Sequence, residues 1–399
     1  MSKIKKVLII GSGIAGPITA LALRKAGIAS TIYEAYPTSA DGIGGALTLA
    51  PNGLDALRLI GVHKEVAAIG QPISRMVIDN SQGKQLCEFN GLDGSEPSQV
   101  VWRSDLNGAL ADLATKNAID IVYGRRLVSV SETPAGITAY FADGSSASGD
   151  VLIGADGIRS TVRALIDPDA ATPEYTGLLG FGGRVPAAGV AGRSDSMHFA
   201  FGKEAFLGHW DTPEGETIWF GNLPHETALT AAQARAIPSA HWLVQLRAAY
   251  ADDQPGCALL ARTVPEQLII VGAAEMLSKV EHWSKGRMVL VGDAVHAPSS
   301  SSGQGVSLAA ESAVELARCL RDIPDLGSAF AAYERLRRHR VETVAASAAK
   351  TNRNKKQRPV AKALMQLLLP LALKTFLTPD KMFGAFHGHR IDWDASVKA

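Results

Sequence analysis

Apolar positions along the chain fall into short blocks closed by glycine or by an acid. Val7–Ile10 is four consecutive aliphatic residues ending at Gly11, the pattern of a strand buried on both faces. An Ala- and Leu-rich stretch then runs to Gly27 and predicts a helix. Thr31–Ile32–Tyr33 predicts a second strand that stops at Glu34. The strand-into-acid pattern recurs twice: Val151–Ile153 leads into Gly154–Ala155–Asp156–Gly157, and Met288–Val291 leads into Gly292–Asp293–Ala294. A serine-rich loop and Gly303–Gln304–Gly305 follow. Beyond them a helix is predicted in which Leu308, Ala309, Ser312, Leu316 and Cys319 share helical spacing. Between about Thr172 and Thr263 the pattern changes. SMHFAFG, AFLGHW and ETIWFGNLP alternate small, aromatic and polar residues between turns, which predicts a β-rich unit.

Composition narrows the classes. Hydrophobic residues make up 46% and charged residues 20%, too apolar for a disordered chain. Forty basic against 39 acidic residues leave a net charge of +1, so no charge footprint of a nucleic-acid binder is present. Cys87, Cys257 and Cys319 lie far apart with no CxxC pair, so a reducing compartment with neither a disulfide framework nor a metal site is expected. The first apolar run is too short for a signal peptide and no stretch reaches the length of a membrane span; a cytoplasmic protein is expected. One segment departs from this. Lys350, Arg353, Lys355, Lys356, Arg358 and Lys362 precede an apolar run, Leu364–Leu377, interrupted by Gln366, Pro370 and Lys374. A packed C-terminal helix pair is expected there, with a peripheral membrane contact as the alternative. Glycine is in excess, 39 of 399 residues against the usual ~7%, and its positions become informative.

Gly11, Gly13 and Gly16 form a GxGxxG between the first strand and the first helix. Gly11 permits the tight turn, Gly13 lets backbone approach a pyrophosphate, and Gly16 lets the helix pack on the strand. The helix N-terminus offers N–H groups and a positive dipole end to phosphates. Glu34, some twenty residues on, can accept hydrogen bonds from ribose hydroxyls. Strand, turn, helix and acid together predict a dinucleotide-binding unit, without choosing between a nicotinamide and a flavin.

GSGIAG, GADG and GDAVH, in this order and spacing, resemble the three signatures of the single-component FAD-dependent aromatic hydroxylases, the para-hydroxybenzoate hydroxylase-like flavoprotein monooxygenases. The resemblance covers about residues 3–345. It implies an α/β chain (α+β overall): a Rossmann-like FAD-binding domain, a second β-sheet substrate domain and C-terminal helices. It implies FAD as cofactor, NADH or NADPH as transient co-substrate, and O2. The implied reaction is hydroxylation of a small aromatic, heteroaromatic or polycyclic substrate through a flavin C4a-hydroperoxide. Carried over residue by residue, Gly11, Gly13, Ala15, Gly16, Glu34 and Ala35 would meet the pyrophosphate and ribose, with Asp156 and Gly157 near the pyrophosphate. Asp293 would bond the ribityl chain. Pro298, Gly303, Gly305 and Val306 would frame the flavin, with a helix end that stabilises its reduced, anionic form. Arg103 in WRSDL is a further candidate cofactor contact, Leu127 would frame the adenine, and Gly42, Gly44 and Gly45 would let backbone pass close by.

Because motifs so far apart must meet one cofactor, the FAD-binding domain is expected to be discontinuous: residues 1–72, 100–171 and 264–345. Residues 73–99 and 172–263 would form the substrate domain, and 346–399 a C-terminal helical segment. The substrate segment carries Phe199, Phe201, Trp210, Trp219 and Phe220, either as a lid for a flat substrate or as the sheet's own core. His209, His198 and Tyr175 are candidate catalytic bases, and nothing in the sequence selects among them. His296 reads as a packed, hydrogen-bonded histidine. GFGGRV lacks a third glycine, so no second dinucleotide domain is expected, and the chain would act as a monomer or homodimer. Two other functions fit the residues. One is an FAD-dependent reductase or dehydrogenase of a lipid-like or polyketide substrate; the other is a flavin-free binding protein on the same fold. The WxWxIP of flavin halogenases is absent.

Overall fold

β1 (Lys6–Ile10), α1 (Ala15–Lys25) and β2 (Ala29–Tyr33) form the expected strand–helix–strand unit. Next come β3 (Ala46–Leu49), α2 (Pro51–Leu59), α3 (His63–Ala68), β4 (Gln71–Ile73), β5 (Arg75–Asp79), β6 (Gln85–Asn90) and β7 (Ser98–Trp102). α4 (Arg103–Lys116) and β8 (Asp120–Val122) lead to a meander of β9 (Leu127–Thr133), β10 (Gly136–Phe141) and β11 (Ser146–Gly149). β12 (Val151–Gly154) and α5 (Thr161–Ile166) precede the long strands β13 (Glu174–Pro186), β14 (Ser196–Phe201), β15 (Phe206–Asp211) and β16 (Glu216–Pro224). α6 (Ala231–Ala236), α7 (Ser239–Ala249), α8 (Gly256–Arg262) and β17 (Leu268–Met276) follow. β18 (Ser284–Lys285), β19 (Met288–Leu290), α9 (Gly305–Asp322) and α10 (Leu326–Lys355) complete the set. The computed structural model describes residues 4–38, 44–187, 193–202, 205–277, 279–355 and 384–399, those from 351 to 355 as backbone only.

A six-stranded sheet runs in the order β18-β19-β12-β1-β2-β8, parallel in every pair but β18–β19. Covered on both sides, β1 buries Val7, Leu8 and Ile9 completely, as its unbroken aliphatic run requires. The three acid-terminated strands, β2, β12 and β19, thus lie in one parallel sheet with β1 between β2 and β12, and present their carboxyl ends to one edge.

Two glycines set how closely those ends meet. Gly11 has φ +105°, and a Cβ there would stand 2.6 Å from the Ala155 carbonyl oxygen. Gly292 has φ +62°, and its Cβ would stand 2.7 Å from the Ala15 methyl. The first motif therefore touches the second and third through contacts that only glycine allows.

The second large sheet has the order β17-β13-β16-β15-β14-β5-β6, antiparallel except where β5 lies parallel to β14. β17 pairs with β13, Phe181 opposite Ile270, so the boundary expected at residue 264 is corrected: this strand belongs to the substrate sheet. GFGGRV lies inside β13 as extended strand, not as a phosphate-binding turn. Period-two alternation splits the aromatics between two faces. Trp219, Leu207 and Phe181 pack under α7 and α8 with Trp242, Leu246 and Leu259. Trp210, Phe199 and Phe220 point the other way and join Met197, Ile218, Ile73 and Val100.

After α10 the expected helical segment is only partly realised. The run Leu364–Leu377 lies outside the described residues. The last twelve residues contain no helix and form a strap on the first unit. Arg318 and Arg321 on α9 donate to the carbonyls of Ala395 and Trp393 (2.7 and 2.8 Å), and both Lys25 and Arg321 stack over the Trp393 ring. No helix among the described residues is long and apolar enough to cross a membrane.

Gly292→Ala is expected to destabilise the fold by about 2 kcal/mol, through left-handed strain plus overpacking against Ala15. Urea unfolding followed by circular dichroism measures this, and an unchanged midpoint would refute the contact.

Candidate active site

At the glycine-rich turn Gly11 donates its N–H to the Tyr33 carbonyl at 2.8 Å, which ties the turn to the end of β2. Glu34 braces the same turn: its carboxylate accepts the Ser12 N–H at 2.6 Å and the Tyr36 N–H at 3.0 Å. Ala35 lies beside it, half-buried. The N-cap of α1, Ile14, supplies no side-chain cap, so N–H groups of the first turn are left for an incoming anion. Gly13 faces open space, with no heavy atom within 4 Å of where a Cβ would sit. The Ser12 hydroxyl beside it is buried and has no partner. Gly16, further along α1, is buried against the strand.

The Asp156 side chain is engaged within its own motif. Its carboxylate accepts the Ser160 hydroxyl at 2.5 Å and the N–H groups of Thr161 and Val162 at 2.7 and 3.1 Å, which caps α5. What meets the glycine turn is its backbone, since a Cβ on Gly11 would lie 3.0 Å from the Asp156 Cα. Asp156 thus stands beside the glycine turn through its backbone while its side chain serves α5, and Gly157, with φ +78°, completes the turn.

Asp293 is exposed and follows Gly292, which packs against Ala15 of α1. Protein packed around it raises its carboxyl pKa, and the positive charge of Arg103 pulls it back down. Arg103 begins α4; its N–H donates to the Gly45 carbonyl at 3.2 Å and its side chain passes close to Gly44. Gly42 lies outside the described residues. Leu127 is buried at the start of β9, and its neighbour Arg126 stacks over Tyr36, two residues beyond Glu34.

The apolar face of the substrate sheet closes over this region. Met197, Trp210 and Ile218 are buried there with Phe199 and Phe220, and Ala46 and Trp102 pack against them. Those last two residues adjoin Gly45 and Arg103. A cleft of about 670 Å³ opens between the two units, with Gly44, Trp102 and Asp105 on one wall and Arg184, Arg235 and Ile270 on the other.

None of the three candidate bases faces this wall. His209 pairs with Trp219 and His198 with His209, so both imidazoles project from the opposite face of the sheet. Tyr175 donates its hydroxyl to the His225 carbonyl at 2.9 Å. All three are corrected to positions away from the aromatic wall.

A family model for the FAD binding domain matches residues 5–253 and 258–348. The chain belongs to the FAD binding domain family. Among its relatives, the aurachin C monooxygenase/isomerase of Stigmatella aurantiaca is 31% identical over 343 residues, 83% of this chain and 84% of that protein. An FAD-dependent urate hydroxylase of Klebsiella pneumoniae is 29% identical over 353 residues, 86% and 89% of the two chains. The crystal structure of a variant of Klebsiella pneumoniae HpxO complexed with FAD matches with a TM-score of 0.81 at 25% identity, over 92% of this chain and 94% of that one.

Within this family member, sequence spacing overlooks the group that fixes the third motif. Pro298 leads into a tight serine turn, Gly303 takes a left-handed φ of +59°, and α9 starts at Gly305 and Val306. Gln304 between them is buried and accepts from Asn52 at 3.0 Å; the same Asn52 amide donates to Glu311 at 2.7 Å. Glu311 in turn receives two hydrogen bonds from Arg340, both 2.7 Å, and lies 2.6 Å from the Arg337 guanidinium. The Arg337 contact is poorly aligned for a hydrogen bond, so charge attraction carries it. Burial alone would raise the Glu311 pKa, but Arg337 and Arg340 outweigh it and hold the carboxyl at about 2. The one sequence signal was a glutamate on the apolar face of a helix, a position where an unpaired charge is too costly to leave.

His296, in GDAVH, is 6% exposed and shares a 2.8 Å hydrogen bond with Ser312. Burial, reinforced by Arg337, lowers its pKa from 6.5 to about 3. The native state therefore holds His296 neutral while the unfolded chain takes up a proton below pH 6.5. Stability is lost as pH falls from 6.5 towards 3, with a slope of up to about 1.4 kcal/mol per pH unit for this one proton. Glu311 adds a loss in the same direction below pH 4.5. His296→Gln is expected to make the slope between pH 6.5 and 4.5 in urea titrations shallower by this one proton's share, since His209, His387 and His389, also buried with lowered pKa values, contribute in the same direction; a profile parallel to the parent's would contradict the assignment.

Proposed function

We propose that this chain is a monooxygenase that binds FAD, takes reducing equivalents from NADH or NADPH, and inserts one atom of O2 into a small aromatic or heteroaromatic substrate. The observation that carries the proposal is the apolar wall of Met197, Phe199, Trp210, Ile218 and Phe220, packed against the residues next to Gly45 and Arg103. A flat ring is the ligand such a wall accepts.

The residues present fit FAD. Open Gly13, the unpartnered Ser12 hydroxyl and the uncapped start of α1 suit a pyrophosphate, and Glu34 lies where a ribose would be met. Asp293 and Arg103, close enough for the cation to act on the carboxyl, offer an acceptor and a positive charge, and the N-terminus of α9 offers a positive dipole end. Bound FAD supplies the electron transfer and the activation of O2, which the protein's own side chains cannot provide. The chain's part is to orient the ring against the cofactor, to keep water from the reacting centre, and to place positive potential beside the isoalloxazine. Arg184 and Arg235 on the walls of the cleft are the cations that a nicotinamide dinucleotide's phosphates would meet.

The purified protein is expected to be yellow, to oxidise NADH or NADPH faster when the right phenol, aromatic acid or N-heterocycle is added, and to place one atom of 18O2 in the product. Oxidation that no ring compound stimulates would favour the reductase function instead. Asp293→Ala is expected to weaken FAD retention about tenfold, equivalent to about 1.4 kcal/mol; full flavin occupancy after gel filtration would remove Asp293 from the site. Trp210→Ala should raise the KM for the ring substrate about tenfold while flavin content stays the same, for a similar loss of binding energy.

A further inference from the structure

Behind the aromatic wall, the other face of the substrate sheet carries a cluster that the proposed reaction does not use. β5, β14 and β15 are adjacent strands, and each contributes one side chain: Asp79, His198 and His209. His198 and His209 stand opposite each other in an antiparallel pair, with their rings stacked 4.9 Å apart at 18°. Asp79 Oδ2 lies 2.8 Å from His198 Nδ1. One nitrogen from each imidazole and one oxygen of Asp79 lie within 4.8 Å of one another.

His209 is the telling member. It is 1% exposed, and neither of its ring nitrogens has a hydrogen-bond partner. A buried imidazole with two unmet polar atoms is a desolvation cost that nothing among the described residues offsets. A neutral imidazole whose nitrogens meet no donor presents an available lone pair. Two imidazoles and one carboxylate are the donor set of zinc and its first-row neighbours, whereas calcium and magnesium take oxygen ligands alone.

We propose that Asp79, His198 and His209 bind a divalent transition-metal ion of the zinc class, with water completing a four-coordinate shell on the side where His198 reaches solvent. The ion takes one lone pair from each neutral imidazole and one from the carboxylate, and each ring keeps its single N–H on the nitrogen that does not bind the ion. Local spacing gave no hint of this site, and the absence of a metal expected from the cysteine pattern is revised here: the three ligands are brought together only by strand pairing. The ion links β5, from the first part of the chain, to β14 and β15 from the middle. Its role is to fasten the substrate sheet, and it does not depend on the monooxygenase assignment.

The full-length flavoprotein, treated with chelator and then dialysed against Zn2+ or Co2+, tests the site. The parent is expected to retain one Zn2+ per chain by elemental analysis, to melt at a higher temperature with the ion than without, and to show tetrahedral Co2+ bands to the red of the flavin absorption. His209→Gln and Asp79→Asn are expected to bind Zn2+ at least tenfold more weakly, with FAD content and far-ultraviolet circular dichroism as the check on folding. His198→Gln, nearer the surface, provides a third variant should the buried ones misfold. The proposal is overturned if the folded yellow parent retains no Zn2+, if the variants retain as much as the parent, or if bound Co2+ shows only the spectrum of an octahedral aqua ion.

Discussion

Gly11 touches the backbone of Ala155 and Asp156, and Gly292 touches the Ala15 methyl, although these partners lie far apart along the chain. Everything else in the candidate active site depends on those approaches. A strand end that carries an acid is useful to an extended cofactor only if the next strand end lies within a few ångströms, and a single methyl group at either glycine would push the two apart. The parallel order β19-β12-β1-β2 brings the three motifs to one edge of the sheet, and the missing side chains let them close. The glycine excess visible in the composition has a steric meaning here: it buries backbone against backbone where a cofactor needs a continuous floor.

The third motif needs a second anchor, because its loop of serines has little apolar surface to hold it. Glu311 provides it from below. One buried carboxylate gathers Asn52, Arg337 and Arg340, and Asn52 passes the constraint to Gln304 at the start of α9. Such a node is a poor source of net stability, since desolvating the charges offsets their attraction, yet removing one partner costs about 3–5 kcal/mol. Its value lies in geometry. Arg340 also donates to the carbonyls of Ala385 and Phe386, so the node joins the cofactor-facing loop to the last part of the chain.

Legibility in the sequence followed the range of the interactions. β1, α1, β2, β12 and α9 were visible because their patterns are local: a buried strand is a run of aliphatic residues, and its end is marked by glycine and an acid. The side-chain partners of Asp156 were not legible for a related reason. Asp-Gly at a strand end fits a phosphate-side acid and a helix cap equally well, and only the positions of Ser160, Thr161 and Val162 decide for the cap. β17 was assigned to the wrong unit because pairing partners are not encoded in a strand's own pattern. His198 and His209 fell on the unexpected face of their strands since alternation fixes which residues share a face, but not which face is turned towards the cofactor.

That alternation couples the two sides of the substrate sheet. In β15, Trp210 lies on the inner face and His209 on the outer; in β14, Phe199 and His198 divide in the same way. A slip of one residue in either strand would turn an aromatic ring away from the cleft and bring an imidazole into it. The inner face cannot resist such a slip by itself, because hydrophobic contacts are non-directional and tolerate exchange of one ring for another. Directional bonds can resist it. The Asp79–His198 hydrogen bond fixes β5 against β14 from behind, and an ion shared with His209 would extend the same lock to β15. The outer cluster would then preserve the shape of the substrate wall without touching the substrate, by making the register that builds the wall the one register in which all three ligands meet.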